Sequence, residues 1–376
     1  MPLPLLAVFQ DLPDPRITTA NTRHALVDIL AIAVCAIISG ANGWEQIAEY
    51  GRRKEPFFRR FLILGNGIPS HDTFYRVFTR LRPASFAERF ATWMAAACEG
   101  TGLVPIAIDG KSARRAKRGN AATGCLHVVS AWATANRLTL GQVVVPDGTN
   151  EIGVIPELLR ALDLAGAIVT IDAAGCQTEN ARLIREGEGH YLLAVKGNQP
   201  TLQAAVAGVF AAADAAGFEG FRFDHHTTTE VGHGRREERS VSVIYDPAGL
   251  PPEWPDAAAV VSVLRERTVS GVATTTTHYY LSSHTGTAKA MAAILRGHWG
   301  IENGLHWVLD VAFREDESRT CDLNAGANLA LVRRVAVSLL KRVNAKGSVE
   351  TRRLMAAWDD DFLLKVLHGI PTVSSA

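Results

Sequence analysis

Long apolar runs, paired cysteines and an excess of charge of one sign are all missing from this 376-residue sequence. The longest apolar run, residues 29–39, is shorter than the roughly 20 residues of a membrane-spanning helix, so we expect no membrane partner. The first residues contain no basic stretch followed by an apolar one, which predicts that no signal peptide is present. The five cysteines form no CxxC motif, and their odd number favours reduced thiols in a cytoplasmic protein.

The composition is that of a globular protein with a large core, since 47% of the residues are hydrophobic and 20% are charged. The formal net charge is only +1, so any attraction to nucleic acid must come from local clusters. The pattern predicts an N-terminal helical domain over residues 1–100, an α/β domain over 101–345 and a C-terminal helical tail over 346–376. Helices are predicted over residues 329–343 and 351–367. The basic residues predicted on their surface are Arg333, Arg334, Lys341 and Arg342.

The N-terminal part predicts a short helix over residues 44–53, a glycine-containing turn and a second helix that begins after Ser70. The second helix has two faces. Its predicted buried residues are Phe74, Val77, Phe78 and Leu81, and its predicted exposed residues are Arg76, Arg80 and Arg82. This arrangement is compatible with a helix-turn-helix that reads DNA. An ordinary helical domain with a solvated basic face fits the same pattern, and both interpretations stay open.

Between residues 104 and 195 the predicted order is strand, strand, strand, helix, strand, helix, strand. A hairpin followed by βαβ crossovers predicts a mixed sheet with helices on its faces, which is the order of a ribonuclease-H-like core. The first strand ends in Asp109 and the fourth in Asp172, and in this topology those two strands are neighbours. A single aspartate at a strand end is usually a turn former. Two aspartates at these positions indicate a metal site.

A metal site for phosphoryl transfer needs a third carboxylate in addition to the two aspartates. Magnesium prefers carboxylate oxygens, and two ions can activate the attacking oxygen and stabilise the leaving one. Glu302, in RGHWGIENGLHWVLDVAFRED, is the candidate, and Glu151 is the alternative. At α-helical spacing His298, Glu302 and His306 share one face. Zinc binding by these three residues is disfavoured, because the outer two would lie ~12 Å apart.

Two regions carry candidate contacts to the DNA backbone. Five basic residues follow Asp109 within the range 111–118, and they predict a positively charged loop, with a solvated flexible loop as the alternative. Lys196, after the last core strand, is a further candidate. Between about residues 220 and 285, Val-, Thr- and Tyr-rich stretches predict an antiparallel β insertion. Arg235, beside a predicted hairpin turn, could contact DNA or lie on a solvated edge.

Four segments, IAIDGKSARR, IVTIDAAGCQ, LLAVKGNQP and RGHWGIENGLHWVLDVAFRED, resemble DDE transposases of bacterial insertion sequences, above all the H-repeat-associated kind. The stretch from FQDLPDPR to SHDTFYRVF is similar to the helical domain associated with those enzymes, and the likeness covers about residues 8–345. The resemblance implies that Asp109, Asp172 and Glu302 form the catalytic, metal-binding triad, with two Mg²⁺ or Mn²⁺ ions as cofactor. The broader family has Tyr and Arg before the glutamate and Lys after it. The matching positions here are Leu295, His298 and Leu309.

The resemblance also implies partners and location: terminal inverted repeats and target DNA, a homodimer on DNA, and the bacterial cytoplasm, with nucleoid association when DNA is bound. The predicted DNA contacts are basic or polar residues near the motifs. They are Lys111, Arg114, Arg115, Lys117, Arg118, Lys196, Arg235, Arg296, His298, Asn303 and His306. The leading hypothesis is a transposase that cleaves element ends and joins them to target DNA. The alternatives are a nuclease of the same fold without strand transfer and a transposase-derived DNA-binding repressor.

Overall fold

A computed structural model describes residues 3–17, 22–95, 97–98, 103–117, 125–232 and 234–370. The α-helices described are α1 (Pro4–Gln10), α2 (Leu26–Ile38), α3 (Trp44–Arg53), α4 (Glu55–Phe58), α5 (His71–Arg80), α6 (Pro83–Ala95), α7 (Glu151–Arg160), α8 (Thr178–Glu186), α9 (Pro200–Ala215), α10 (Ala288–His298), α11 (Trp307–Val311), α12 (Leu323–Arg342), α13 (Val349–Trp358) and α14 (Asp360–Leu367). The strands described are β1 (Val104–Lys117), β2 (Cys125–Ala133), β3 (Leu138–Val144), β4 (Ala167–Ile171), β5 (His190–Val195), β6 (Phe223–Gly232), β7 (Arg235–Tyr245), β8 (Ala259–Val269) and β9 (Val272–Ser282). A π-helix covers Glu302–His306, and a 3₁₀ turn covers Glu315–Glu317.

The chain divides into two compact units that are interleaved along the sequence. Unit A comprises Met1–Glu99, Gly110–Asn150 and Ile301–Ala376, and unit B comprises Gly100–Asp109 and Glu151–Gly300. The strands form a mixed sheet in the order β3-β2-β1-β4-β5-β9-β8-β7-β6, and β1 passes from unit B into unit A. The predicted α/β class with N-terminal and C-terminal helices is therefore confirmed. The three consecutive predicted domains differ from this interleaved division, and their boundaries stay predictions.

Unit B contains the parallel part of the sheet. β4 pairs in parallel with both β1 and β5, as expected for strands joined by crossover helices. One face is covered by α10, whose Met291 and Ile294 pack into a buried cluster with Ile168 of β4 and Leu192 of β5. Because both faces of these central strands must be buried, β4 is apolar at nearly every position.

The predicted antiparallel insertion is present as four long strands, and it continues the core sheet. β9 pairs antiparallel with β5, from Leu192↔Ser282 to Val195↔Tyr279, and β8, β7 and β6 follow in order. Val241, Val243 and Val261 turn towards the cluster below α10, while the Thr-rich half of β9 is exposed. Hydrophobic residues therefore concentrate where the insertion meets the core. The helix α9, between β5 and β6, was not predicted.

Unit A is built around α12, whose residues from Ala325 to Leu340 are buried. This helix is long and apolar enough to cross a membrane by length and composition, but 89% of its most apolar window is buried inside the protein. It packs against α2, α5, α6 and β3. Asn328 of α12 donates from Nδ2 to the carbonyl oxygens of Phe78 and Leu81, both at 2.9 Å, and so satisfies acceptors at the end of α5.

The N-terminal helices follow the sequence prediction closely. α3 has the predicted bounds, and Ser70 caps α5 by accepting from the Thr73 amide. The predicted inner face of α5 is buried, and Trp44 of α3 contacts its Phe78 edge-to-face at 5.1 Å. The predicted outward arginines of this region, Arg76, Arg80 and Arg82, are exposed.

Two predictions about the C-terminal helices are wrong. Arg333 and Arg334 were expected on the surface, but they are 2% and 0% exposed, because α12 is enclosed on every side. Arg334 is compensated by a buried ion pair, with Nη1 2.9 Å from Glu315 Oε1. The single helix expected over 351–367 is two helices, since Asp359 caps α14 through the amides of its first turn.

Candidate active site

The two predicted catalytic aspartates follow paired strand positions in unit B. β1 and β4 are parallel with Ala107↔Thr170 and Ile108↔Ile171 in register, so Asp109 and Asp172 continue that register by one residue. Register partners on neighbouring parallel strands lie side by side on the same face, with the strands about 4.8 Å apart. Asp109 is partly buried and Asp172 is exposed. The predicted juxtaposition of these two aspartates is therefore supported by the strand pairing.

The turn after Asp172 is held by buried polar groups. The Gly175 amide donates to Asp172 Oδ1 at 3.2 Å, and Asn180, which is 1% exposed, donates from Nδ2 to the Gly175 carbonyl at 2.9 Å. Asn198, after β5, donates to the Ala173 carbonyl at 2.6 Å. A Cβ at Gly175 would lie 2.2 Å from an Ile171 side-chain methyl, so only glycine fits this turn.

These contacts give a structural reason for two of the sequence motifs. Two residues of KGNQP hold the turn of DAAGCQ by hydrogen bonds. Asn198 donates to the Ala173 carbonyl, and Gln199 donates from Nε2 to the Cys176 carbonyl at 2.9 Å. Sequence reasoning missed Asn180, Asn198 and Gln199 as positioning residues. The available signal was the presence of two amide side chains directly after a core strand.

His298, at the end of α10, belongs to the same neighbourhood of unit B. Its Nδ1 is 2.9 Å from Thr170 Oγ1, and Thr170 in turn donates to the Ile106 carbonyl at 3.3 Å. Burial lowers the pKa of His298, and the negative charge of Asp172 offsets this only in part. His298 is therefore a neutral residue near neutral pH. One ring nitrogen bonds Thr170 and the ring is uncharged, so His298 could contact a phosphate only through a hydrogen bond from its other nitrogen, and that contact stays a prediction.

The basic stretch after Asp109 is strand, so the predictions that the first strand ends at Asp109 and that a loop follows it are both wrong. β1 continues to Lys117, and Lys111 points inward with its side chain only 7% exposed. Lys111 Nζ lies 2.7 Å from Asp310 Oδ1 and 3.1 Å from Asp316 Oδ1. Lys111 thus ties β1 to α11 and the following turn inside unit A, and it is not available as a DNA-backbone contact.

The remaining residues of this stretch differ in exposure. The side chain of Arg114 is 84% exposed, with Nε 3.4 Å from Asp316 Oδ2, and Arg115 is exposed. Arg118 and the side chain of Lys117 lie outside the described part of the molecule. Arg114 and Arg115 are therefore accessible, and their contact with the DNA backbone stays a prediction.

The Glu302 segment lies in unit A and is not the uniform α-helix that the spacing predicted. Residues Glu302–His306 form a π-helix, so the expected stacking at every fourth residue does not hold. Such π-helical turns occur frequently at functional sites. Glu302 and Asn303 are exposed, while Ile301 and Leu305 are fully buried.

His306 lies inside unit A. Burial, together with the positive charges of Arg334 and Lys111, lowers the pKa of His306 to about 3. The imidazole is neutral at physiological pH. The prediction of His306 as a DNA contact can therefore hold only for a hydrogen bond, not for a charge interaction with phosphate.

The other predicted contacts of unit B are exposed residues. Lys196 follows β5 at the edge where Asp172 follows β4, because the two strands are parallel. Arg235 begins β7 beside the β6–β7 turn. Arg296 is exposed and forms an ion pair with Glu230. Of these, Lys196 is the one that strand direction brings to the sheet edge bearing the aspartates.

The carboxylates of Asp109 and Asp172 are the donor type that hard divalent metals select. Asp172 uses one oxygen to accept from the Gly175 amide, and its exposure leaves the carboxylate accessible. In the ranges that the structure describes, no group of three or more His, Cys, Asp or Glu side chains is arranged as a metal site. Asp109 and Asp172 match two of the three expected carboxylate ligands. The third, Glu302, belongs to unit A.

Comparisons with known proteins give a consistent family. A model described as Transposase DDE domain matches residues 100–339, and one described as DDE_Tnp_1-associated matches residues 6–94. The protein named "H repeat-associated putative transposase YhhI" of Escherichia coli strain K12 is 36% identical over 368 residues, which cover 95% of this chain and 96% of that protein. "Putative transposase YncI" of Escherichia coli O157:H7 is 35% identical over 374 residues, covering 96% of this chain and 94% of that one. A solved piggyBac transposase synaptic complex with hairpin DNA aligns with 99% of this chain and 79% of its own at 12% identity, with a TM-score of 0.43.

Proposed function

Because this chain belongs to the transposase family defined by the DDE domain, we propose that it binds the terminal repeats of an insertion sequence, cleaves a phosphodiester at each end and joins the freed 3′-hydroxyl to target DNA. It acts as a homodimer on DNA in the bacterial cytoplasm. The single observation that carries the proposal is the parallel pairing of β1 and β4, which supports two carboxylates side by side, Asp109 within β1 and Asp172 directly after β4.

Asp109, Asp172 and Glu302 would hold the divalent ions, Mg²⁺ or Mn²⁺. When bound, two such ions activate the attacking oxygen and neutralise charge on the phosphate and the leaving oxygen. The chain itself positions the carboxylates. The Gly175 amide orients Asp172, and the buried Asn180 fixes that turn. Rigid support of this kind matters because metal ligands held loosely lose affinity and geometry.

The DNA backbone is held by exposed cations of both units. Arg114 and Arg115 follow Asp109 on β1, and Lys196 lies at the edge of the sheet that bears Asp172. Arg235, Arg296 and Asn303 serve as outer contacts. Guanidinium and ammonium groups bind phosphate oxygens without regard to sequence, so these contacts set register and affinity. They also make binding dependent on salt.

The decisive experiment is a cleavage and joining assay with labelled terminal-repeat DNA, a target plasmid and Mg²⁺. Asp109→Asn and Asp172→Asn keep the shape of the side chain but remove its charge. We expect each to lower cleavage by more than the roughly 10- to 100-fold that loss of an outer-shell partner costs. Asp214→Asn, an exposed aspartate of α9 in the same unit, is the matched control and should retain wild-type activity.

Three outcomes separate the alternatives. Joined product from the wild type supports a transposase, whereas cleavage without joined product indicates a nuclease of the same fold. Binding without cleavage by the wild type indicates a transposase-derived repressor. Retention of wild-type cleavage by Asp109→Asn would overturn the catalytic assignment altogether.

A further inference from the structure

Unit A contains an open groove of about 620 Å³ that the candidate active site does not use. Its walls come from the start of α3, the start of α5 and the segment Arg314–Cys321, and Arg333 of α12 contributes to its lining. The volume is within the roughly 300–1,000 Å³ range of ligand sites in proteins. None of these elements carries the predicted catalytic carboxylates.

The unusual feature of the groove is the state of Arg333. The residue is 2% exposed, it donates from Nη2 to the Asn42 carbonyl at 3.2 Å, and its Nε is buried without a hydrogen-bond partner. The nearby buried carboxylate, Glu315, already pairs with Arg334 at 2.9 Å. Within the described ranges Arg333 has no ion pair of its own. Burying a cation without a counter-charge costs free energy, so an anion bound over Arg333 would stabilise the folded protein.

The local charge balance points the same way. Arg353, which is 4% exposed, is a third buried arginine nearby, and burial together with the charge of Arg333 lowers its pKa to about 10. Three buried guanidinium groups therefore share one buried carboxylate, Glu315. Of these three guanidinium groups, Arg333 is the one that lines the groove.

The rim of the groove adds two more cations. Arg314 and Arg319 are exposed, line the groove and form no ion pair among the residues described. Two carboxylates, Asp72 and Glu317, also line it, and His71 lies 3.5 Å from Asp72. Three arginines against two exposed carboxylates leave a positive site whose buried member cannot be screened by water. Planar guanidinium forks match the tetrahedral oxygens of phosphate and bind them in a bidentate way.

We propose that this groove binds a phosphate group of the DNA backbone, with Arg314 and Arg319 making the first contacts and Arg333 lying beneath. The proposal rests on the proposed function, since it assigns the N-terminal helices and the segment after α11 to one DNA-binding surface. The exposed arginines of α5, Arg76 and Arg80, lie on the helix that forms one wall of the groove and extend a basic face beyond it. The source of the phosphate is a phosphodiester, not a free anion.

The test uses the full-length protein in EDTA, so that binding is measured without cleavage. Fluorescence anisotropy with a labelled duplex of unrelated sequence is recorded over a salt series. Each phosphate that is neutralised contributes about 0.9 to the slope of log K against log salt. Arg314→Gln combined with Arg319→Gln should weaken binding roughly tenfold and reduce that slope by about 1. Both positions are exposed, so folding should be unaffected.

The matched control is Arg160→Gln combined with Arg182→Gln, two exposed arginines paired with Glu179 outside the groove lining, which should leave the slope unchanged. An unchanged slope in the rim variant would overturn the proposal. Thermal stabilisation of the wild type by inorganic phosphate, lost in the rim variant while its DNA slope stays wild-type, would instead assign the site to a free anion and overturn the DNA source. Binding to the groove is measured in EDTA without cleavage, whereas the catalytic assignment is tested by cleavage with Mg²⁺. A failure of catalysis and a failure of this groove are therefore seen in different measurements.

Discussion

His306 makes the stability of unit A depend on pH in a way that can be calculated. Its pKa is about 3 in the folded protein, against an ordinary value of 6.5, because burial and the charges of Arg334, Lys111 and His127 oppose protonation. The folded state therefore excludes a proton that the unfolded chain binds below pH 6.5. The contribution of His306 to the free energy of unfolding is therefore complete above pH 6.5 and is lost as the pH falls towards 3.

The magnitude is set by one proton. Between pH 6.5 and about pH 5 the unfolded histidine is mostly protonated while the folded one is not, and each pH unit then removes about 1.4 kcal/mol. Allowing for partial protonation near 6.5, the loss at about pH 5 is roughly 2 kcal/mol. Below a pH of about 3 both states bind the proton, and no further loss is expected from this residue.

The assay is urea unfolding of wild type and His306→Gln at several pH values from about 7.5 to 5. Five other histidines with lowered pKa contribute to the pH dependence of the wild type, but they are present in both proteins and cancel in the difference. They are His24, His190, His278, His284 and His298. The expected result is that the variant loses about 2 kcal/mol less than the wild type on acidification.

The control is His368→Gln, which replaces an exposed histidine in the same unit and should follow the wild-type pH dependence. The reasoning is refuted if His306→Gln and the wild type lose the same free energy of unfolding between pH 6.5 and 5. A lower stability of the variant at all pH values would not bear on the point, because the readout is the slope.

Two further substitutions test the support of the site. Lys111→Met should lower the free energy of unfolding by about 2–3 kcal/mol. This is less than for a fully buried pair, because the side chains of the partners Asp310 and Asp316 are 36% and 26% exposed. The variant should leave the salt slope of DNA binding unchanged, and a reduced slope would show that Lys111 does contact phosphate. Gly175→Ala should cost about 1–3 kcal/mol in urea unfolding and lower cleavage, since its methyl group would overlap Ile171. The control Gly208→Ala, with open space around the added methyl in α9, should be neutral or stabilising, and equal destabilisation of both variants would contradict the steric explanation.

The sheet topology could be predicted because its signals are local. Short apolar strands that end in a carboxylate, separated by helices of ordinary length, leave few topologies, and the parallel pairing of β1 with β4 is the one expected. The bounds of α3 also agreed with the prediction, since Gly43 directly precedes its first residue.

What could not be predicted depends on contacts distant in sequence. The basic run after Asp109 has the composition of a loop. Lys111 can be buried on a strand because the carboxylates of Asp310 and Asp316, about two hundred positions later, compensate its charge. The π-helix at Glu302 has no periodic signal of its own, because one extra residue in a turn leaves the apolar positions nearly in place.

The arginines of α12 show how tertiary context changes the meaning of one residue type. In the segment LVRRVAV, two adjacent arginines interrupt a run of apolar residues, and a pattern-based interpretation places them in solvent. The helix is instead enclosed on all sides, so each guanidinium needs a buried acceptor. Arg334 finds Glu315, whereas Arg333 has a single backbone carbonyl. Charge inside an otherwise apolar helix is thus better interpreted as a requirement for a partner. Among the described residues Arg333 has no carboxylate partner, and the phosphate proposed for the groove would supply the missing anion.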